Sequence, residues 1–214
     1  MEELLFNFIF IGKGLFITLK LLIASIIVGG LIGLFFSILY YKNIAKLFIK
    51  FYISILRGTP LILQLSLVYF ALPGLIGIKL DIIGSGVVAL GLNSSAYIAE
   101  VLRGGIESIP KGQFEAVQTL RISSYAMWKD IILPQVARNI LPAMTNEVIA
   151  LLKETALISI IGGMDIMRSA QVVAAQQFTY FLPLCIAAAY YYILVLLIAW
   201  GGKLIEQRVS YVKN

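Results

Sequence analysis

The chain has 214 residues and a formal net charge of +6, with 60% hydrophobic and 13% charged residues, where soluble domains carry about 45–50% apolar and about 25% charged. A mean hydropathy of +0.95 excludes an ordinary soluble domain and leaves room for one membrane domain of about four to six spans with little beyond it. There is no histidine, which removes imidazole base catalysis and histidine-ligated metal sites. The lone cysteine, Cys185, sits in an apolar run, forms no intrachain disulfide and is expected as a small buried hydrophobe.

In chain order the sequence predicts an all-α integral membrane protein, one domain over 1–214, with five transmembrane helices. The opening MEELLFNF carries Glu2 and Glu3, whereas a cleavable signal needs a basic start, so the first apolar run is a retained span at about 15–40. Its Gly29, Gly30 and Gly33 let a second helix approach closely, within the bundle or between subunits, although glycine is also commoner in membrane helices generally. Lys42, Lys46, Lys50 and Arg57 follow. The second span is about 58–78, with Pro60 at its start and Pro73 and Gly74 near its end. The third is about 82–101, with Glu100 beside Arg103 as a structural pair. The fourth, about 141–161, is interrupted by Glu147, Lys153 and Glu154. The loop 164–180 is an outer gate, a contact for a delivering protein or a turn packed over the bundle, and the fifth span is about 181–202. Each span of about 20 residues matches a core of about 30 Å. Basic residues crowd the loops after spans one, three and five, while the other side has Lys13, Lys79 and Arg168. The positive-inside rule then puts the N-terminus outside and the C-terminus in the cytoplasm.

The connection 103–139 is too long for a structureless loop. Pro110 can open one short helix, on which Phe114, Val117 and Leu120 share a side. Ser123 or Ser124 can cap a second, carrying Met127, Trp128, Ile131 and Ile132, which Pro134 then ends. Two amphipathic helices at the cytoplasmic surface either rest on headgroups or dock a soluble partner.

Charges inside the fourth span need a reason, because each costs about 2.5–3.5 kcal/mol at the bilayer centre and such residues face the protein interior or a water-filled cavity. Residues seven apart on a helix differ by about 20° in direction. Glu147, Ala150, Leu151 and Glu154 therefore share one stripe, and Asn146, Ala150 and Lys153 the next. Lys153 and Glu154 point about 100° apart. One explanation is an ion pair of Lys153 with Glu100, Glu147 or Glu154 across the folded bundle. The other is that Glu154 is kept for a cationic substrate.

Three blocks carry a resemblance: ILRGTPLILQLSLVYFALP (55–73), LNSSAYIAEVLRGGIESIPKGQFEA (92–116) and LPAMTNEVIALLKETALISIIG (141–162). They stand in the order found in permease subunits of bacterial ABC importers, in the branch for polar amino acids. The segment after span three is similar to the EAA coupling loop of that family, with Glu115, Ala116, Ile131, Leu133 and Pro134 at matching positions. Val117 replaces an alanine and Arg121 a glycine. If that glycine supplies a left-handed turn, a side chain there costs about 1 kcal/mol or more.

The resemblance implies a permease that is not itself an enzyme. It docks a cytoplasmic ABC ATPase dimer through Phe114, Glu115, Ala116, Val117, Leu120, Arg121 and Ser124. No cofactor binds this chain. ATP and Mg belong to the ATPase, since the sequence lacks a G-x-x-x-x-G-K-[ST] phosphate loop. The implied partners are a second permease subunit, expected as a homodimer, and an extracytoplasmic substrate-binding protein in the bacterial inner membrane. Nucleic acid is not expected. The implied substrate is an amino acid held near mid-membrane. Glu154 favours a basic one, arginine, lysine or histidine, with Glu147, Tyr97, Asn93, Asn146 and Gln64 as polar companions or, equally, as interhelical hydrogen bonds. The rival readings are an ion-coupled secondary transporter using Glu147 and Glu154, against which no internal repeat is visible, and a membrane-embedded enzyme, for which no nucleophile–base or metal constellation stands out.

Overall fold

In lipid the backbone can bond only to itself, so unbroken apolar sequence folds as helix. The computed structural model describes residues 2–210, in which every regular element is helical and no strand occurs. Helix α1 (Glu2–Tyr41) has 40 residues, about 60 Å at 1.5 Å per residue. It therefore starts well before the expected Leu15 and extends beyond the membrane core. Lys13 does not break it and is exposed on the helix surface.

The basic stretch after α1, expected as a loop, forms a short amphipathic helix, α2 (Lys46–Gly58), which buries Ile49 and Ile53. Pro60 takes extended backbone and starts α3 (Leu61–Ile76) at 102° to α2. Pro73 lies within α3, near its end, and does not break it. A widened π-type turn, Leu67–Ala71, precedes it, and the helix stops only where Gly77 takes φ 72°. Pro134 likewise does not end its helix. From Ser124–Ala126 (α6) the chain runs through a second widened turn, Met127–Ile132, straight into α7 (Leu133–Glu154). The two cases share a cause. A proline ring collides with the carbonyl four residues back, here Tyr69 and Asp130, and each lies inside the widened turn that makes room.

Helix α4 (Ile82–Glu107) is capped by the Asp81 side chain on the Gly84 amide. It outruns its expected end at 101 because Arg103 ties Glu100 and Glu107, each at 2.7 Å, along its last turns. Pro110 lies one position earlier than expected, as the cap of α5 (Lys111–Thr119). Ser123 caps α6, its hydroxyl accepting from the Ala126 amide at 3.3 Å. Arg121 between them has φ 52°. The left-handed turn that a glycine would supply is thus kept, with a side chain on it. After α7 a tighter 3₁₀ segment, Thr155–Ile161, ends at Gly162 with φ 91°. The loop 164–180 proves to hold a helix, α8 (Ile166–Gln177), capped by Asp165. Helix α9 (Phe181–Ser210) closes the described chain. Cys185 on it is exposed rather than buried, because α9 turns that face away from the bundle.

Among the described residues α1, α4 and α9 are each long and apolar enough to cross a membrane, and α2 and α3 pass that test only together, as a pair bent by 102°. Helix α7 is too polar to count by composition alone. The core joins α1, α3, α4 and α7 through Leu21, Leu65, Leu90, Leu151 and Leu152. The glycine patch of α1 serves this contact. A Cβ on Gly29 would stand 3.0 Å from the Gly91 carbonyl oxygen, and one on Gly33 2.8 Å from that of Ser95, both on α4. Gly30 faces open space. The close approach therefore lies within the chain.

Candidate functional site

Helix α7 presents two unlike faces. On the first, Glu147 is half-buried and accepts a 2.7 Å hydrogen bond from the Ser94 hydroxyl of α4. One turn on, Leu151 is fully buried. Glu154 is half-buried in turn and has no hydrogen-bond or ion-pair partner among the described residues. The two carboxylates stand about 10 Å apart along the axis at 1.5 Å per residue. On the second face Pro142, Ala143, Asn146 and Lys153 are exposed. Asn146 is therefore not brought together with Glu147. The ion pair allowed for Lys153 with Glu100, Glu147 or Glu154 does not form among the described residues: Lys153 is exposed, and Arg103 and Arg57 hold Glu100, at 2.7 and 3.6 Å.

Gln64 and Asn93 are buried, and their donors are spent on the bend between α2 and α3. The Gln64 amide donates to the Leu56 carbonyl at 2.8 Å and to the Thr59 hydroxyl at 2.9 Å. Asn93 donates to the same Leu56 carbonyl at 3.0 Å and to Gln64 Oε1 at 3.2 Å. These groups satisfy carbonyls that the sharp turn at Pro60 strips of helical partners. Tyr97 offers its ring to the Arg57 guanidinium, 5.0 Å away, a cation–π distance. So the structure sorts the sequence-derived candidates. Glu147 and Glu154 share the inner face of α7, Gln64 and Asn93 brace the bend, Tyr97 meets Arg57, and Asn146 looks outward.

Ser94 was not anticipated. The run Asn93-Ser94-Ser95 inside an apolar span was the available signal. A second missed group is Asp165, fully buried, which accepts from the Arg168 amide at 2.8 Å and from the Tyr191 hydroxyl at 3.0 Å. With the reciprocal Asn7–Gln177 amide pair, at 2.8 and 3.1 Å, it pins α8 over α1 and α9.

The segment of α5 and α6 divides by exposure. Val117 is buried and Phe114 packs against the cluster of Ile109, Ile132 and Val136. They face inward, not outward as the shared side with Leu120 led one to expect, because Phe114 packs on Ile132 and Val136 and the Gln113–Gln135 amide pair ties α5 to the start of α7. Glu115, Ala116, Leu120, Arg121 and Ser124 remain exposed, Leu120 to 70%.

Long apolar helices packed as one bundle, with two half-buried carboxylates on the inner face of α7, mark a membrane protein with polar sites among its helices. Residues 5–211 match the family of binding-protein-dependent transport system inner membrane components, and the chain belongs to that family. It is 48% identical over 202 residues to a Rickettsia conorii protein named as a glutamine transport system permease, covering 94% of this chain and 93% of that one. It is 44% identical over 203 residues to the arginine transport system permease protein of Bacillus subtilis, again covering 94% and 93%. A crystal structure of an amino acid ABC transporter with histidines aligns with a TM-score of 0.86 at 38% identity, covering 93% of this chain and 94% of that one. The chain is thus a multi-pass membrane permease subunit of an amino-acid ABC importer, a transport subunit and not an enzyme.

Proposed function

We propose that this permease carries a basic amino acid, arginine, lysine or histidine, with Glu154 as the counter-ion of the substrate's cationic side chain. The observation that carries the reading is Glu154 itself, a half-buried carboxylate on the inner face of α7 without a partner among the described residues. A charge in such a place calls for an opposite charge. Glu147 lies on the same stripe with one oxygen held by Ser94. The names of the arginine permease relative and of the transporter structure with histidines agree with a cationic cargo. Family membership sets aside the ion-coupled reading of the two glutamates.

The same reading has a cytoplasmic ABC ATPase dimer, which binds ATP and Mg, docking on the exposed residues of α5 and α6. An extracytoplasmic binding protein delivers substrate. The open face of α7, with Asn146 and Lys153, meets a second copy of the chain, since exposed polar groups in a span need protein or water beside them. Five spans follow if α7 with its 3₁₀ extension crosses the membrane. The N-terminus is then outside and the C-terminus cytoplasmic.

Calorimetry of the purified permease–ATPase complex across the common amino acids, in wild type and Glu154→Gln, tests the substrate assignment. Basic amino acids should bind in the wild type and bind about ten- to hundred-fold more weakly in the variant, the range for a charged hydrogen bond. The relatives named for glutamine, up to 49% identical, favour a second reading with a neutral amide cargo. Tight glutamine binding that Glu154→Gln leaves intact would select it and sink the first.

A further inference from the structure

Where α1 hands over to α2, an open cavity of about 300 Å³ is bounded by Tyr40, Tyr41, Asn43 and Lys46 on one side and by Arg103 and Glu107 on the other. Arg103 is already committed to Glu100 and Glu107, its Nη1 donating to both Glu107 oxygens, and with Arg57 at 3.6 Å from Glu100 the two guanidiniums match the two carboxylates in charge. Lys46 is not so committed. An ammonium has three donors, and Lys46 spends one on Asn43 Oδ1 at 3.1 Å while standing 4.8 Å from the Tyr40 ring. The Tyr40 and Tyr41 hydroxyls have no hydrogen-bond partner among the described residues. The cavity therefore offers an anion an ammonium and two hydroxyls, with Lys42 close by in the chain.

The surroundings say which kind of anion fits. Helix α2 stands at 102° to α3, so with α3 crossing the bilayer α2 lies along its surface. It seats Ile49 and Ile53 on Ala96 and Ala99 of α4 and leaves Leu47, Phe48 and Phe51 exposed by 83%, 60% and 64%. An apolar helix face in the interface plane belongs among acyl chains. Anion donors beside such a face match a phosphate that carries acyl chains, and basic pockets between spans on the cytoplasmic side suit anionic headgroups.

We propose that this cavity holds the phosphate headgroup of an anionic phospholipid from the leaflet on which α2 lies, with Lys46 as its cation and the exposed residues of α2 against its chains. By the orientation above this is the cytoplasmic leaflet. The site is independent of the amino-acid assignment. It also adjoins the coupling segment, because the Tyr41 ring meets Trp128 edge-on at 4.9 Å.

Native mass spectrometry of the permease–ATPase complex, washed after exposure to mixed phosphatidylglycerol and phosphatidylcholine micelles, reads the bound lipid directly. The wild type should retain phosphatidylglycerol and lose phosphatidylcholine. Lys46→Gln should lower retention about five-fold, the worth of one interfacial cation. Lys46→Arg should keep it, and so should Lys203→Gln at the end of α9. Equal retention of both lipids, or retention untouched by Lys46→Gln, would overturn the proposal. Stripping of the lipid by excess inorganic phosphate would also overturn it, by showing a free-phosphate site. If Lys46→Gln alters folding, loss of retention in the folded Lys46→Arg variant decides against the site.

Discussion

Gly29 and Gly33 differ from Gly30 in one respect that matters: what a methyl group would strike. At Gly33 it would stand 2.8 Å from the Ser95 carbonyl oxygen and 3.0 Å from Ile98, both fixed by α4, whereas at Gly30 it would meet nothing within 4 Å. Overfilling a tight contact costs about 1–3 kcal/mol, while glycine to alanine in an open helix position gains up to about 1 kcal/mol. Gly33→Val should therefore lower the thermal unfolding midpoint of the purified protein, and Gly30→Ala should hold or raise it. Equal loss in both would mean that the α1–α4 contact does not depend on bare backbone. Glu147 obeys a similar local logic. A half-buried carboxylate on α7 is tolerable here because the Ser94 hydroxyl reaches it, and burial without such a bond is what costs most.

At the scale of elements, α5 shows how one short helix divides its labour. Its inward residues hold the segment to α7, with Val117 buried and Phe114 against Ile132, and its C-terminal end leaves Leu120 in the open. Val117→Ala should cost about 1 kcal/mol of stability, as for deletion of buried methyls. Leu120→Asp should leave unfolding unchanged yet weaken capture of the ATPase. Co-purification and melting curves on both variants separate the two effects, and an unchanged ATPase yield with Leu120→Asp would remove that residue from the docking surface. Exposure, not spacing, made this distinction. The three-residue period put Phe114, Val117 and Leu120 on one side, but period alone does not say which residues of a side meet the neighbouring element. Pro134 misled for a related reason. It read as a stop, because a proline inside a helix loses a hydrogen bond, and sequence does not reveal that a widened turn upstream will absorb it. By contrast, the apolar runs of α1, α4 and α9, the Ser123 cap and the stripe of Glu147, Leu151 and Glu154 were legible, since each depends only on local chemistry and helical period. Gln64 and Asn93 were legible as polar and buried, but their shared target, the Leu56 carbonyl, exists only once Pro60 has bent the chain.

For the whole molecule the decisive quantity is which end faces the cytoplasm. Lys42, Lys46, Lys50 and Arg57 lie at one end with Arg103, α5 and α6, and Lys79 and Arg168 flank the other. If α7 and its 3₁₀ extension form a fifth span, Lys79 and Lys203 must emerge on opposite sides, because three crossings, α4, α7 and α9, separate them. If α7 does not cross, they emerge on the same side. Both lysines are exposed, so each position can report as a cysteine, once the exposed Cys185 has been replaced by serine. In intact cells a membrane-impermeant maleimide should label Lys79→Cys. Lys111→Cys, on α5, and Lys203→Cys should label only after the membrane is opened. Labelling of Lys79→Cys and Lys203→Cys together in intact cells would reduce the fold to four crossings. Labelling of Lys203→Cys without Lys79→Cys would invert the molecule. The inverted outcome would place α5, α6 and the Lys46 cavity outside, where no cytoplasmic ATPase reaches them. The expected one places the exposed Leu120, the basic end and α2 at the leaflet whose anionic lipids draw lysine and arginine.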